Sequence, residues 1–100
     1  MHYAKADYSF VRFQKSKNPK KKYDAVLRHK LTKREVRVSF GAKRIDGVPY
    51  PQYRDSTGLA LYHKYDHSDP KRKANYRARH SVYLKPKYWS PANFSWEFLW

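Results

Sequence analysis

Polar and aromatic residues alternate from Asp7 to Phe13, with Ser9, Val11 and Phe13 opposite Tyr8 and Phe10. That period of two predicts a strand. A second strand is expected from Tyr23 to His29, with Tyr23, Ala25 and Leu27 on one face. After a turn over Leu31 to Arg34, the stretch from Glu35 to Phe40 alternates most cleanly. Val36, Val38 and Phe40 point one way, and Glu35, Arg37 and Ser39 the other. Together these strands predict a β-hairpin with one buried face, ended by Gly41. Pro49, Pro51 and Gly58 then argue against regular structure from Ala42 to about Gly58.

The period changes further along. Leu59, Leu61, Tyr62 and Tyr65 fit one or two helical turns between Thr57 and Asp66. A longer helix is expected to open at Asp69-Pro70, with Ser68 or Asp69 as N-cap, and to run to about Val82. Ala74, Ala78 and Ser81 give it a small-residue stripe for packing. Lys71, Arg72 and Lys73 crowd its first turn against the helix dipole. Either an anion lies alongside, or tertiary packing rescues an unfavourable start. Ser90-Pro91 repeats the cap-and-proline signal ahead of Phe94, Trp96, Phe98, Leu99 and Trp100. An apolar segment of that kind folds back onto the sheet or docks into a partner. The expectation is one small α+β domain spanning 1–100: about three antiparallel strands, a basic helix and an aromatic C-terminal segment.

Charge sharpens this picture. The 100 residues hold 23 Lys and Arg against 8 Asp and Glu, a net charge of +15. Repulsion on that scale favours contact with polyanions, nucleic acid first and acidic protein surfaces next. Lysines dominate residues 15–22, where Lys20, Lys21 and Lys22 follow Asn18-Pro19, and the stretch reads as an exposed loop. It is either an arm that tracks phosphates or a solvated hairpin tip. Ten Tyr, five Phe and three Trp imply a small core built from rings. With no Cys, disulfides and thiolate metal sites are excluded. No apolar run nears the roughly 20 residues of a membrane span, and the N-terminal residues lack a signal-peptide core, so neither is expected.

Candidates for chemistry are few. The carboxylates are scattered among cations and no pair is placed for acid–base work, so catalysis is not expected. His63 and His67, four apart, would share a helical face as zinc ligands can, with Asp66, Asp69 or His80 to complete a shell. Pro70 breaks the element close by, which favours capping and hydrogen-bonding roles for Asp69 and His67, and no metal or cofactor is expected. Tyrosines interleaved with Arg and Lys suit cation–π pairs inside the fold or stacking on unpaired bases.

Phe40-Gly41-Ala42-Lys43, then Tyr62 through His80, then Trp89 and the close Phe94-Ser95-Trp96-Glu97-Phe98-Leu99-Trp100 carry a resemblance. The chain resembles, from about Tyr23 to Trp100, a family of small basic proteins of large eukaryotic DNA viruses and some phages. The family pattern is a strand ending in Phe-Gly-Ala, a stretch near Tyr-x-x-His-x-Asp-x-x-Arg-Lys-x-x-Tyr-x-x-Arg-His, and a Trp-rich end. Here the loop from Arg44 to Leu61 is longer and the final tryptophans are spaced differently. The resemblance implies a place in the virion or with the genome, by analogy only.

Two functions are therefore expected. The first is a minor capsid component within a large assembly, bound to other virion proteins through Phe94, Trp96 and Trp100, with Arg72, Arg77 and Arg79 as ion-pair anchors. The second is a sequence-nonspecific nucleic-acid binder whose Lys20, Lys21, Lys22, Lys71, Arg72, Lys73, Arg77 and Arg79 contact phosphates.

Overall fold

A computed structural model describes residues 3–100. Three strands, β2 (Tyr8–Lys15), β3 (Lys21–His29) and β4 (Glu35–Ala42), form an antiparallel sheet with β3 in the centre. Helix α1 (Pro70–His80) and helix α2 (Pro91–Phe98) follow, and a two-residue strand β5 (Tyr88–Trp89) pairs with β1 (Tyr3–Ala4). The class is the expected α+β, while the small β1–β5 sheet has no counterpart in the sequence pattern.

A bulge sets the face of β2. Pairing with β3 skips Val11, between Phe10 and Arg12, which reverses the alternation. Phe10 and Phe13 therefore share a side, their rings 4.7 Å apart, instead of lying on opposite faces as strict alternation predicts. That side meets α2. Phe94 stacks on Phe40 at 5.4 Å and on Trp89 at 5.5 Å, and meets the ring of Phe13 edge-on at 5.9 Å. Tyr23, Leu27, Val38 and Leu99 complete a core in which rings supply much of the volume.

The hairpin differs from a sheet with one buried face. Every residue of β3 from Lys22 to Leu27 is buried. Tyr23, Ala25 and Leu27 join the core, while Asp24 accepts hydrogen bonds from the hydroxyls of Ser16 and Ser39 at 2.7 and 2.6 Å. Gly41 does not end β4 but lies within it, at φ 81°. A Cβ there would stand 2.9 Å from Cβ of Lys22 and 3.2 Å from Leu99, so conformation and close approach both require glycine.

The segment after β4 has little regular structure yet is firmly tied. The amides of Tyr53 and Arg54 donate to the Leu99 carbonyl, and Gln52 pairs with the Tyr65–His67 stretch through backbone bonds at both ends. Of the helical turns expected between Thr57 and Asp66, one 3-10 turn forms, at His63–Tyr65. The tie places the loop 50–54 beside both α1 and the end of α2.

A candidate anion-binding surface

The start of α1 follows from its cap. The Asp69 carboxylate accepts from the Lys71 amide at 2.9 Å and the Arg72 amide at 3.5 Å, and Pro70 fills the first helical position. The helix does not pack through the expected small stripe, because Ala74, Ala78 and Ser81 are exposed. It packs through Lys73, Tyr76, Arg77 and His80, a spacing of three, four and seven that also defines one face. Rings win this contest because they remove far more area from water than a methyl does. Tyr76 lies between His80 at 4.0 Å and Trp100 at 4.2 Å in a column of near-parallel rings. Lys73 sits over Tyr53 at 4.4 Å, and Arg77 over Trp96 at 4.7 Å while donating to the Trp100 carbonyl at 3.3 Å.

The expected binding residues therefore divide. Lys73 and Arg77 are engaged in the fold. Lys71, Arg72 and Arg79 are exposed, and among the described residues neither Arg72 nor Arg79 has an ion pair. Lys20 is exposed in the β2–β3 turn and Lys21 is half-buried in β3.

Lys22 corrects the loop reading. It is 2% exposed, and its ammonium donates to the Tyr50 carbonyl and to Oε1 of Gln52, both at 2.7 Å. The physical reason is the length of β3, which begins at Lys21 and carries Lys22 into the sheet. Burial pushes its amine down to about 8, although the carboxylates of Asp55 and Asp66 pull the other way. Lys22 is no phosphate contact. The amide of Gln52 in turn donates to the Tyr62 carbonyl at 3.0 Å and to Asp66 at 2.8 Å, so the buried charge ends in a completed network.

Phe94 is likewise corrected. At 1% exposed it fills the core, because α2 lays it across Phe40 and Trp89, and it presents no docking surface. Trp96 and Trp100 are half-buried and keep part of their area at the surface. The aromatic close folds back onto the sheet and α1.

His63 and His67 have separate tasks. His63 bonds the Ala60 carbonyl at 2.8 Å, and His67 accepts the Asp69 amide at 3.0 Å, just ahead of the cap. Among the described residues no three His, Asp or Glu side chains gather as metal ligands do. Burial, then the charge of Arg72, lowers the His67 pKa.

The carboxylates explain the sign of the surface. Asp24, Asp55, Asp66 and Asp69 accept hydrogen bonds from hydroxyls, amides and Gln52. Tyr23 donates its phenol to Asp55, and burial together with that bond pushes Tyr23 up to about 12. Only Arg12, Arg28 and Arg44 make ion pairs among the described residues, with Glu35 and Asp46. Of 23 Lys and Arg, most face solvent without a carboxylate partner.

A cleft of about 510 Å³ opens between the β3–β4 end of the sheet and the two helices. Lys21 and Tyr50 line one wall, and Arg72, Tyr76, Arg79 and Trp100 the other. A second hollow shares Arg72, Arg79 and Trp100 with it, so these three form a ridge between two concavities. Tyr50 is one of the tyrosines interleaved with Arg and Lys for which the sequence allows base stacking, but sequence offers no signal that pairs it with α1.

No family model, curated protein or solved structure matches this chain. The resemblance to viral proteins rests on the motif alone.

Proposed function

We propose that this is a non-enzymatic structural protein of a virus particle, a minor capsid component held to acidic faces of neighbouring shell proteins. The observation that carries this reading is the disposition of charge. Asp24, Asp55, Asp66 and Asp69 are spent on hydrogen bonds within the fold, and most of the 23 Lys and Arg face solvent with no carboxylate paired to them among the described residues. Arginine suits such contacts because its planar fork pairs carboxylates bidentately. Trp96 and Trp100 add apolar area beside Arg77 and Arg79. Gentle disruption of purified particles tests it. The protein is expected to stay with the shell fraction when the genome is released at moderate salt and to leave that shell as salt is raised, and release with the genome would overturn the reading.

A second reading, nucleic-acid binding with little sequence preference, is favoured by the cleft that Arg72 and Arg79, without ion pairs among the described residues, line together with the exposed Tyr50 ring. If about six phosphates are neutralised, log affinity falls with log salt at a slope near −5. A slope near zero excludes it.

A further inference from the structure

We infer that the cleft between Tyr50 and α1 is a binding site for single-stranded nucleic acid, with phosphates at Arg72 and Arg79 and a base on the Tyr50 ring. This rests on the second reading above and goes past it, because it replaces diffuse charge with a located site.

Three features point to a single strand. Arg72 and Arg79 are seven residues apart on α1, so they lie on one helix face about 10 Å apart along the axis. Both line the cleft, and among the described residues no hydrogen bond or ion pair engages either guanidinium. Tyr50 lines the same cleft with half its area open to solvent. Its backbone is held from behind, since its carbonyl accepts the Lys22 ammonium and its amide donates to Ala42 at 3.3 Å. The backbone of this wall therefore needs no ordering before a base stacks on the ring.

The cleft also discriminates. Cations beside an exposed ring are what a single strand requires, because every unpaired base offers a face to stack. A duplex hides those faces and could use only the arginines. An acidic peptide could pair with Arg72 and Arg79 but would leave the Tyr50 ring unmatched.

The test is fluorescence anisotropy of a labelled ten-nucleotide oligothymidylate and of its A·T duplex, at one fixed salt concentration. Wild type is expected to bind the single strand about tenfold or more tightly than the duplex. Arg72→Ala with Arg79→Ala should weaken single-strand binding about tenfold or more. Lys30→Ala with Arg34→Ala, an equal loss of charge in the exposed β3–β4 turn, should weaken it less than about threefold. Tyr50→Ala should cost the single strand about fivefold or more and leave the duplex unchanged, given the usual worth of one stacked base. Circular dichroism on each variant confirms the fold. Equal losses from the two charge pairs would overturn the cleft and leave nucleic-acid binding standing as diffuse attraction. No oligonucleotide binding by wild type would overturn both and leave the shell reading untouched. Displacement of the oligonucleotide by an acidic peptide at equal concentration, with Tyr50→Ala without effect on either, would assign the cleft to protein instead.

Discussion

Lys22 and Arg72 line the same cleft, and the protein treats their charges in opposite ways. Lys22 is buried with its ammonium bonded to Tyr50 and Gln52, and Asp55 and Asp66 stand near enough to support its charge. Arg72 is exposed, in the first turn of a helix whose dipole opposes it, with no carboxylate paired to it among the described residues. The interior has been arranged around a charge at considerable cost in desolvation. The helix face has been left unneutralised. A cation that the fold has completed reads as architecture, and one that the fold has left open is available to a partner.

The largest effect is expected from breaking the interior network. Gln52→Leu would remove one acceptor of the Lys22 ammonium and strand the Tyr62 carbonyl and part of Asp66. The Lys22 ammonium keeps the Tyr50 carbonyl, and each buried group left short of a partner costs about 1–3 kcal/mol. Urea denaturation should show the midpoint falling by a corresponding amount. A loss under about 1 kcal/mol would mean that water already serves Lys22, and the contrast with Arg72 would weaken.

Alkaline pH should sharpen the same contrast. Lys22 has a folded pKa of about 8 against 10.5, so between these values the unfolded chain binds more protons. Stability therefore rises with pH across that window, by up to roughly 3 kcal/mol. Tyr23 works in reverse. Its folded pKa of about 12 exceeds 10.0, so above pH 10 the unfolded chain loses the proton first and stability falls. Thermal melts should show a maximum near pH 10, well above the usual pH 5–8. Lys22→Met should flatten the rise from pH 8 to 10 while leaving the fall above 10. An unchanged rise in that variant would assign it to general relief of self-repulsion.

Removing the cap should cost less. Asp69→Ala takes away the acceptor for the Lys71 and Arg72 amides, in a turn that already holds three cations. The expected loss is about 1 kcal/mol, read as a lower melting temperature.

Much of the fold was legible. The strands expected over Tyr23 to His29 and Glu35 to Phe40, and helix α1 with its Asp69-Pro70 start, follow from period and capping chemistry. Ser90-Pro91 marks where α2 begins, although the residues after it predict an apolar segment rather than a helix. Local rules suffice there because each signal lies within a few residues. The misses are long-range. Nothing local announces a bulge at Val11, yet that one unpaired residue brings Phe10 and Phe13 onto one face. Counting the alternation back from Tyr23 extends the strand to Lys22 but puts it on the face opposite Tyr23, which a one-sided hairpin leaves to solvent. Only Tyr50 and Gln52, far along the chain, bury it. The packing face of α1 was misjudged for a similar reason. Small residues look like a contact stripe until Trp100, twenty-four positions after Tyr76, supplies a ring to stack on. Of the candidate site, the cations could be read and their division into engaged and open could not. That division depends on which aromatic partners the tertiary fold brings near.

The smallest effect tests the exposed side of the comparison, and its sign matters more than its size. Arg72 occupies the third position of α1, where the orphan amides and the dipole both favour an anion. Its charge also disfavours protonation of His67, and no carboxylate is paired to it in compensation. Arg72→Glu should therefore stabilise the protein by about 0.3–1 kcal/mol. For a domain of this size that amounts to a few degrees in melting temperature. The same variant should bind the single-stranded oligonucleotide more weakly than Arg72→Ala, since it adds repulsion to the loss of attraction. Gain in stability with loss of binding would identify Arg72 as a residue placed for a partner at the expense of the fold. If Arg72→Glu instead lowers the melting temperature, the guanidinium contributes to packing along the Trp100 ridge. The open and the completed cation would then be two forms of the same structural use, and the cleft would lose its strongest claim to a ligand.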